Sequence, residues 1–150
     1  ANDAIEMFLL IQDNSAEDSL RVALQSYATA DLKLYQNKKE EALQLFLAIL
    51  QKHKGESIEE GTLFKVGKIY EEKGDFNKAL TYYQNILDIH KDGIYKDEAL
   101  FFSAEIYRKH LLNNEKAKAL YEKVVLEHPD SLYYTESRKQ YRTLRGDSTI

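Results

Sequence analysis

The sequence has no cysteine and no tryptophan, one proline (Pro129) and only six glycines. Without cysteine there are no disulfides and no thiolate metal sites, and the redox compartment stays open. So little proline and glycine disfavours a turn-rich β architecture. No apolar run approaches the roughly 20 residues that cross a bilayer, so direct membrane insertion is not expected. Neither sign of charge dominates: a formal net charge of −4 gives no electrostatic reason to expect a nucleic-acid partner. Catalytic motifs are missing as well. There is no serine in a Gly-x-Ser-x-Gly elbow. Gly67 and Gly74 are explained by packing and a turn rather than by a phosphate-cradling loop. The acidic pairs Glu59-Glu60 and Glu71-Glu72 read as a solvated face, because adjacent residues on a helix diverge by about 100°. The expectation is a protein without enzyme activity, catalytic residues or cofactor.

What is present is helical periodicity. The chain has 150 residues, 43% hydrophobic and 31% charged, enough for one domain with a real core. A first helix is predicted over residues 1–14, capped by Asp3 with Glu6 three positions on, with an apolar face of Met7, Phe8, Leu9, Leu10 and Ile11. Ser15 and Asp18 open a second, running to about Tyr35 with Leu20, Ala23, Leu24, Tyr27 and Leu34 at helical spacing. Further helices are predicted from Glu40 to Lys52, Ile58 to Lys73, Phe76 to His90, Lys96 to His110 and Glu115 to His128. Pro129 stops the last of these, since it lacks an amide donor and clashes with the preceding turn. Ser131 is expected to cap a terminal helix reaching Arg145, with Gly146 suited to a left-handed exit. That makes about eight helices and no strand. A start at Ala1 rather than Met is what a processed protein, or a piece of a longer one, would show.

The helices repeat in pairs. A small residue recurs at Ala30, Gly67 and Ala104, and an aromatic three positions earlier at Tyr27, Phe64 and Phe101, both in steps of 37. The second helix of each pair carries Ala42, Ala79 and Ala117, then Phe46, Tyr83 and Tyr121, in steps of 37 and 38. The exits fall at His53, His90 and His128. One helical hairpin cannot bury its own apolar faces, so such copies must stack. The middle copy (Leu63, Val66, Gly67, Tyr70, Gly74, Phe76, Ala79, Tyr83, Ile86) resembles the tetratricopeptide repeat. The third copy matches at Ala104, Tyr107, Ala117, Tyr121, Val124 and Pro129, with one extra residue in its turn between His110 and Asn114. The first departs most, with Lys33 in place of the tyrosine and Gln36-Asn37 in place of the glycine turn. The step of 37 and the long connections look like an envelope-associated bacterial branch of the family, which includes outer-membrane assembly lipoproteins and cell-division coordinators.

The resemblance implies an all-α, right-handed superhelix of about three hairpins in a single domain. Residues 1–19 form an N-terminal helix and linker, 20–53, 57–90 and 94–129 the repeats, and 131–146 a capping helix. It also implies a concave wall lined by the first helix of each pair. Carried onto this chain, the groove positions are Tyr27, Asp31 and Leu34, then Phe64, Lys68 and Glu71, then Phe101, Glu105 and Arg108. Aromatic area flanked by charge can hold a peptide, whereas the same aromatics can instead pack as core between hairpins. The set that clamps a C-terminal carboxylate in some relatives is absent, since Tyr27, Asp31, Lys65, Glu98 and Phe102 occupy its places. His53, His90 and His128 read as helix C-termini, because neighbours about 10 Å apart cannot share a zinc ion. Arg138, Lys139, Arg142 and Arg145 form a basic stripe that reads as the polar face of a terminal helix. The function implied is a non-catalytic scaffold that holds a protein or peptide partner. The alternative is an oligomerisation or docking module of a larger envelope assembly protein, with homo-oligomers open. Periplasm, cell envelope and cytoplasm are all compatible with what the sequence shows.

Overall fold

A computed structural model describes residues 15–147. The helix predicted over residues 1–14 lies outside them. Within them the chain forms seven helices and no strand: α1 (Ser15–Tyr35), α2 (Lys39–Lys52), α3 (Glu59–Glu72), α4 (Phe76–Ile89), α5 (Lys96–Lys109), α6 (Asn114–Glu127) and α7 (Tyr134–Arg145). Each predicted boundary in this range lies within a residue of the observed one, except at the start of α7. In α2 and α5 acidic residues open the helix (Glu40 and Glu41; Asp97 and Glu98) and basic ones close it (Lys52; Arg108 and Lys109), as the helix dipole favours.

The hairpin turns share one device. Asn37, Gly74 and Leu112 each adopt a left-handed backbone, with φ of 62°, 82° and 52°. In the first two, the left-handed residue donates its N–H three residues back, to Leu34 or Glu71. The next N–H reaches five back, to Lys33 or Tyr70, which is a Schellman exit. Asn37 therefore replaces glycine without changing the turn. In the third hairpin the extra residue widens the pattern, so that Leu111 N–H bonds Ile106 and Asn113 N–H bonds Tyr107.

The connections between hairpins repeat as well. His53, His90 and His128 are C-cap residues, donating their N–H groups to Ile49, Ile86 and Val124. The residue three positions later, Glu56, Gly93 or Ser131, then donates its N–H to the histidine carbonyl. This double turn accommodates the step of 37 between hairpins. It also corrects the expectation for Ser131, which is not the N-cap of the last helix. That helix starts at Tyr134, and Tyr133, its N-cap, makes no side-chain cap bond. Instead the Ser131 hydroxyl donates to Asp97 at 2.6 Å and accepts from the Tyr133 N–H at 3.0 Å, tying the connection back to the start of α5.

Backbone contacts group the chain into two compact units, one ending at Ile69 and the other beginning at Tyr70. In the first, α1 packs on α2. Ala23, Ala30, Ala42 and Phe46 are fully buried, and the Tyr27 ring meets Phe46 edge-on at 5.3 Å. In the second, α5, α6 and α7 pack around Leu100, Phe101, Ala104, Ala117, Tyr121 and Val124. The small-residue columns are where helices approach: Ala30, Ala104, Ala42, Ala79 and Ala117 have no exposed surface. The terminal helix continues the register of the first helices, since Thr62, Ala99 and Ser137 occupy one fully buried column.

Candidate functional site

A cleft of about 480 Å³ opens in the second unit. Glu71 of α3, Phe101, Phe102, Glu105, Arg108 and Lys109 of α5, His110 just beyond it, and Glu136 of α7 line it. Four of the nine expected groove residues, Glu71, Phe101, Glu105 and Arg108, are therefore brought together here. The other five lie in the first unit. There Asp31 pairs with Lys65 at 2.9 Å, Tyr27 packs on Phe46, and Leu34, Phe64 and Lys68 are half-buried. Lys109, His110 and Glu136 were not singled out as groove residues in the sequence, and Phe102 was named there only as the occupant of a carboxylate-clamp position. Glu136 stands 38 positions after Glu98, so carrying the first-helix register one step further would have reached it.

The cleft floor is aromatic and joined to the core. Phe101, only 9% exposed, stacks on Tyr133 at 4.5 Å and meets Tyr121 edge-on at 6.1 Å. Phe101 is thus mainly a core residue. Phe102 is the half-buried ring of the pair and packs against Phe101, Tyr83 and Tyr133. His110 stacks face to face on Phe76 at 4.0 Å.

The polar groups form a network beneath. Glu105, also 9% exposed, accepts from the Tyr121 hydroxyl at 2.6 Å and pairs with Arg108 at 3.2 Å and Lys109 at 2.7 Å. Arg108 Nε also donates to the Tyr121 oxygen at 3.0 Å. Burial by itself would push the Glu105 carboxyl up, but the hydrogen bonds from Lys109 and Tyr121, helped by the charge of Arg108, outweigh it and hold the group below its usual value. The Tyr121 phenol is pushed well up, first by burial and then by its bond to Glu105. In the second hairpin the Tyr83 hydroxyl donates to Glu71 at 2.7 Å and is pushed up further still, again chiefly by burial. The paired positions reverse sign between hairpins: Lys68 and Glu71 in one, Glu105 and Arg108 in the next. The tyrosine hydroxyl follows the carboxylate each time. Where the first hairpin has Leu34 at the position of Glu71, its inner ring is Phe46, with no hydroxyl to satisfy.

The ionic groups around Glu105 are thus held in mutual hydrogen bonds and ion pairs. In the first unit the Ser19 hydroxyl and Glu56 both sit on Nδ1 of His53, at 3.3 and 3.0 Å. A proton relay needs nucleophile and orienting acid on opposite ring nitrogens, so this cluster is a structural tie. Among the described residues no group of three or more His, Asp or Glu side chains could hold a metal ion. No helix among them is long and apolar enough to cross a membrane.

Stacked helix hairpins with a repeated small-residue register define the class of α-helical repeat arrays. A family profile described as tetratricopeptide repeat matches residues 62–92 and 98–131, in the second and third hairpins. A crystal structure of a tetratricopeptide repeat protein from Parabacteroides merdae superposes with a TM-score of 0.66 at 21% identity, over 83% of this chain and 46% of that one. The chain thus spans about half the length of that protein, and the likeness is one of fold. No curated protein matches the sequence. Tetratricopeptide arrays are typically non-catalytic and bind protein partners.

Proposed function

We propose that this chain is a protein-interaction scaffold that holds a segment of a partner protein against the first helices of its hairpins. The groove positions are Tyr27, Asp31, Leu34, Phe64, Lys68, Glu71, Phe101, Glu105 and Arg108, in a repeat array of hairpins 20–53, 57–90 and 94–129 closed by the helix of 131–146. The observation that carries this reading is the cleft lined by Glu71, Phe101, Glu105 and Arg108. It joins half-buried aromatic surface to charged groups held in place from below. Pre-ordered side chains lose little entropy on binding, so contact there is converted efficiently into affinity. An oligomerisation or docking role in a larger envelope assembly protein is the alternative.

The test is partner capture by the intact chain and by variants that keep the fold. Phe64→Ala with Lys68→Glu, and separately Phe102→Ala, should each weaken capture of a purified partner at least about tenfold, as loss of an interface anchor does. Unchanged capture by both variants, with unchanged circular dichroism, would sink the reading.

A further inference from the structure

The cleft holds five charged side chains, Glu71, Glu105, Arg108, Lys109 and Glu136, and they differ in what they already touch. Both cations are turned onto Glu105, at 3.2 and 2.7 Å, and Arg108 is fixed further by Tyr121. Glu71 receives the Tyr83 hydroxyl. Glu136 is exposed and accepts only from the neutral amide of Gln140, at 2.7 Å, so among the described residues its charge is uncompensated. Three carboxylates therefore face two cations, and both cations are engaged within the protein.

The surroundings act in the same direction. Besides burial, Glu71, Glu72 and Glu98 all raise the Tyr83 phenol, and Glu98 and Asp97 raise that of Tyr133, whose ring stacks on the cleft floor. Beside this negative field lies the half-buried Phe102 ring. A flat apolar surface next to an uncompensated carboxylate suits a long side chain with an apolar stem and a cationic head. A carboxylate entering the same space would meet Glu136 and find both cations already paired.

We infer that the cleft selects a lysine or arginine side chain of the bound protein segment, with its stem on Phe102 and its charge toward Glu136. This deepens the proposed function and rests on the cleft being a peptide site.

The test uses the full chain as bait for a phage-displayed library of random short peptides. Peptides selected by the wild-type chain should share a basic residue at one position. Replacing that residue by norleucine, or the protein residue by Glu136→Gln, should each weaken binding about fivefold, as a part-exposed ion pair does. Glu136→Lys should instead select peptides with an acidic residue there. Since Glu136 is exposed, these variants should melt as the wild type does, which a thermal scan checks. The inference is overturned if the shared residue is not basic, if Glu136→Gln binds as well as wild type, or if free spermidine binds at this site while no peptide does. The wider reading of the cleft fails differently. In that case, selected peptides bind equally well to Phe102→Ala and to Glu136→Gln.

Discussion

At the residue scale, the three hairpins act as controls for one another. The residue before each second helix has nearly the same backbone: φ and ψ of −101° and 68° at Lys38, −90° and 76° at Asp75, and −106° and 87° at Asn113. Asp75 and Asn113 accept a hydrogen bond from the N–H of the third helical residue, whereas Lys38 has no oxygen to offer. Lys38→Asn should therefore install a cap in a backbone already shaped for it and stabilise the chain by about 1 kcal/mol, raising Tm by about 2–4 °C in a thermal melt. No gain would mean that the first hairpin satisfies that N–H in another way. The left-handed turn position shows the converse. Asn37 and Gly74 tolerate a positive φ, while Leu112 adopts it at about 1–2 kcal/mol of steric cost, with 78% of its surface exposed.

At the scale of the hairpin, residues change in pairs. Lys78 sits over the Tyr70 ring and Lys116 over Tyr107, both at 5.3 Å from the centroid. In the first hairpin the same two positions hold Lys33 and Glu41, an ion pair at 3.7 Å. The departure from the family pattern at Lys33 is thus matched by its partner across the hairpin. The Glu105 network carries a pH dependence of defined sign. Its folded value lies below the ordinary 4.5, so the unfolded chain binds the proton more readily in the interval between them. The stabilisation is fully present above about pH 4.5 and is lost as pH falls through the folded value. Glu105→Gln should cost about 2 kcal/mol at neutral pH, the worth of hydrogen bonds to a buried charge, and should flatten the acid limb of denaturant midpoints measured against pH. An acid limb as steep as that of the wild type would show that other carboxylates produce it.

At the scale of the molecule, a repeat array is sensitive at its ends, because a terminal hairpin has a neighbour on one side only. The last helix and its N-cap cover the core cluster of the second unit with Tyr141 and Leu144, and with Tyr133. A chain ended at Asp130 should lose about 3 kcal/mol or more, from the partial burial of these three side chains, read as a lower urea midpoint. An unchanged midpoint would show that this helix is dispensable.

Helix boundaries, the hairpin register and the buried small-residue columns were legible in the sequence, because periodicity and spacing are local and each hairpin repeats the evidence of the others. The long connection between hairpins could be counted as extra residues, but not recognised as the double turn that places Ser131 on Asp97. The site was legible only in part. The family resemblance implied that Glu71, Phe101, Glu105 and Arg108 lie on one wall, on first helices where residues three and four apart share a face. It could not show that Phe101 faces mostly inward, that Arg108 and Lys109 are both committed to Glu105, or that Glu136 meets no cation among the described residues. Those outcomes depend on which side chains from different helices arrive within about 3 Å of one another, and no one-dimensional pattern encodes that distance. Composition and period sufficed for the architecture of the array. The pairing of charges in its cleft was decided by packing.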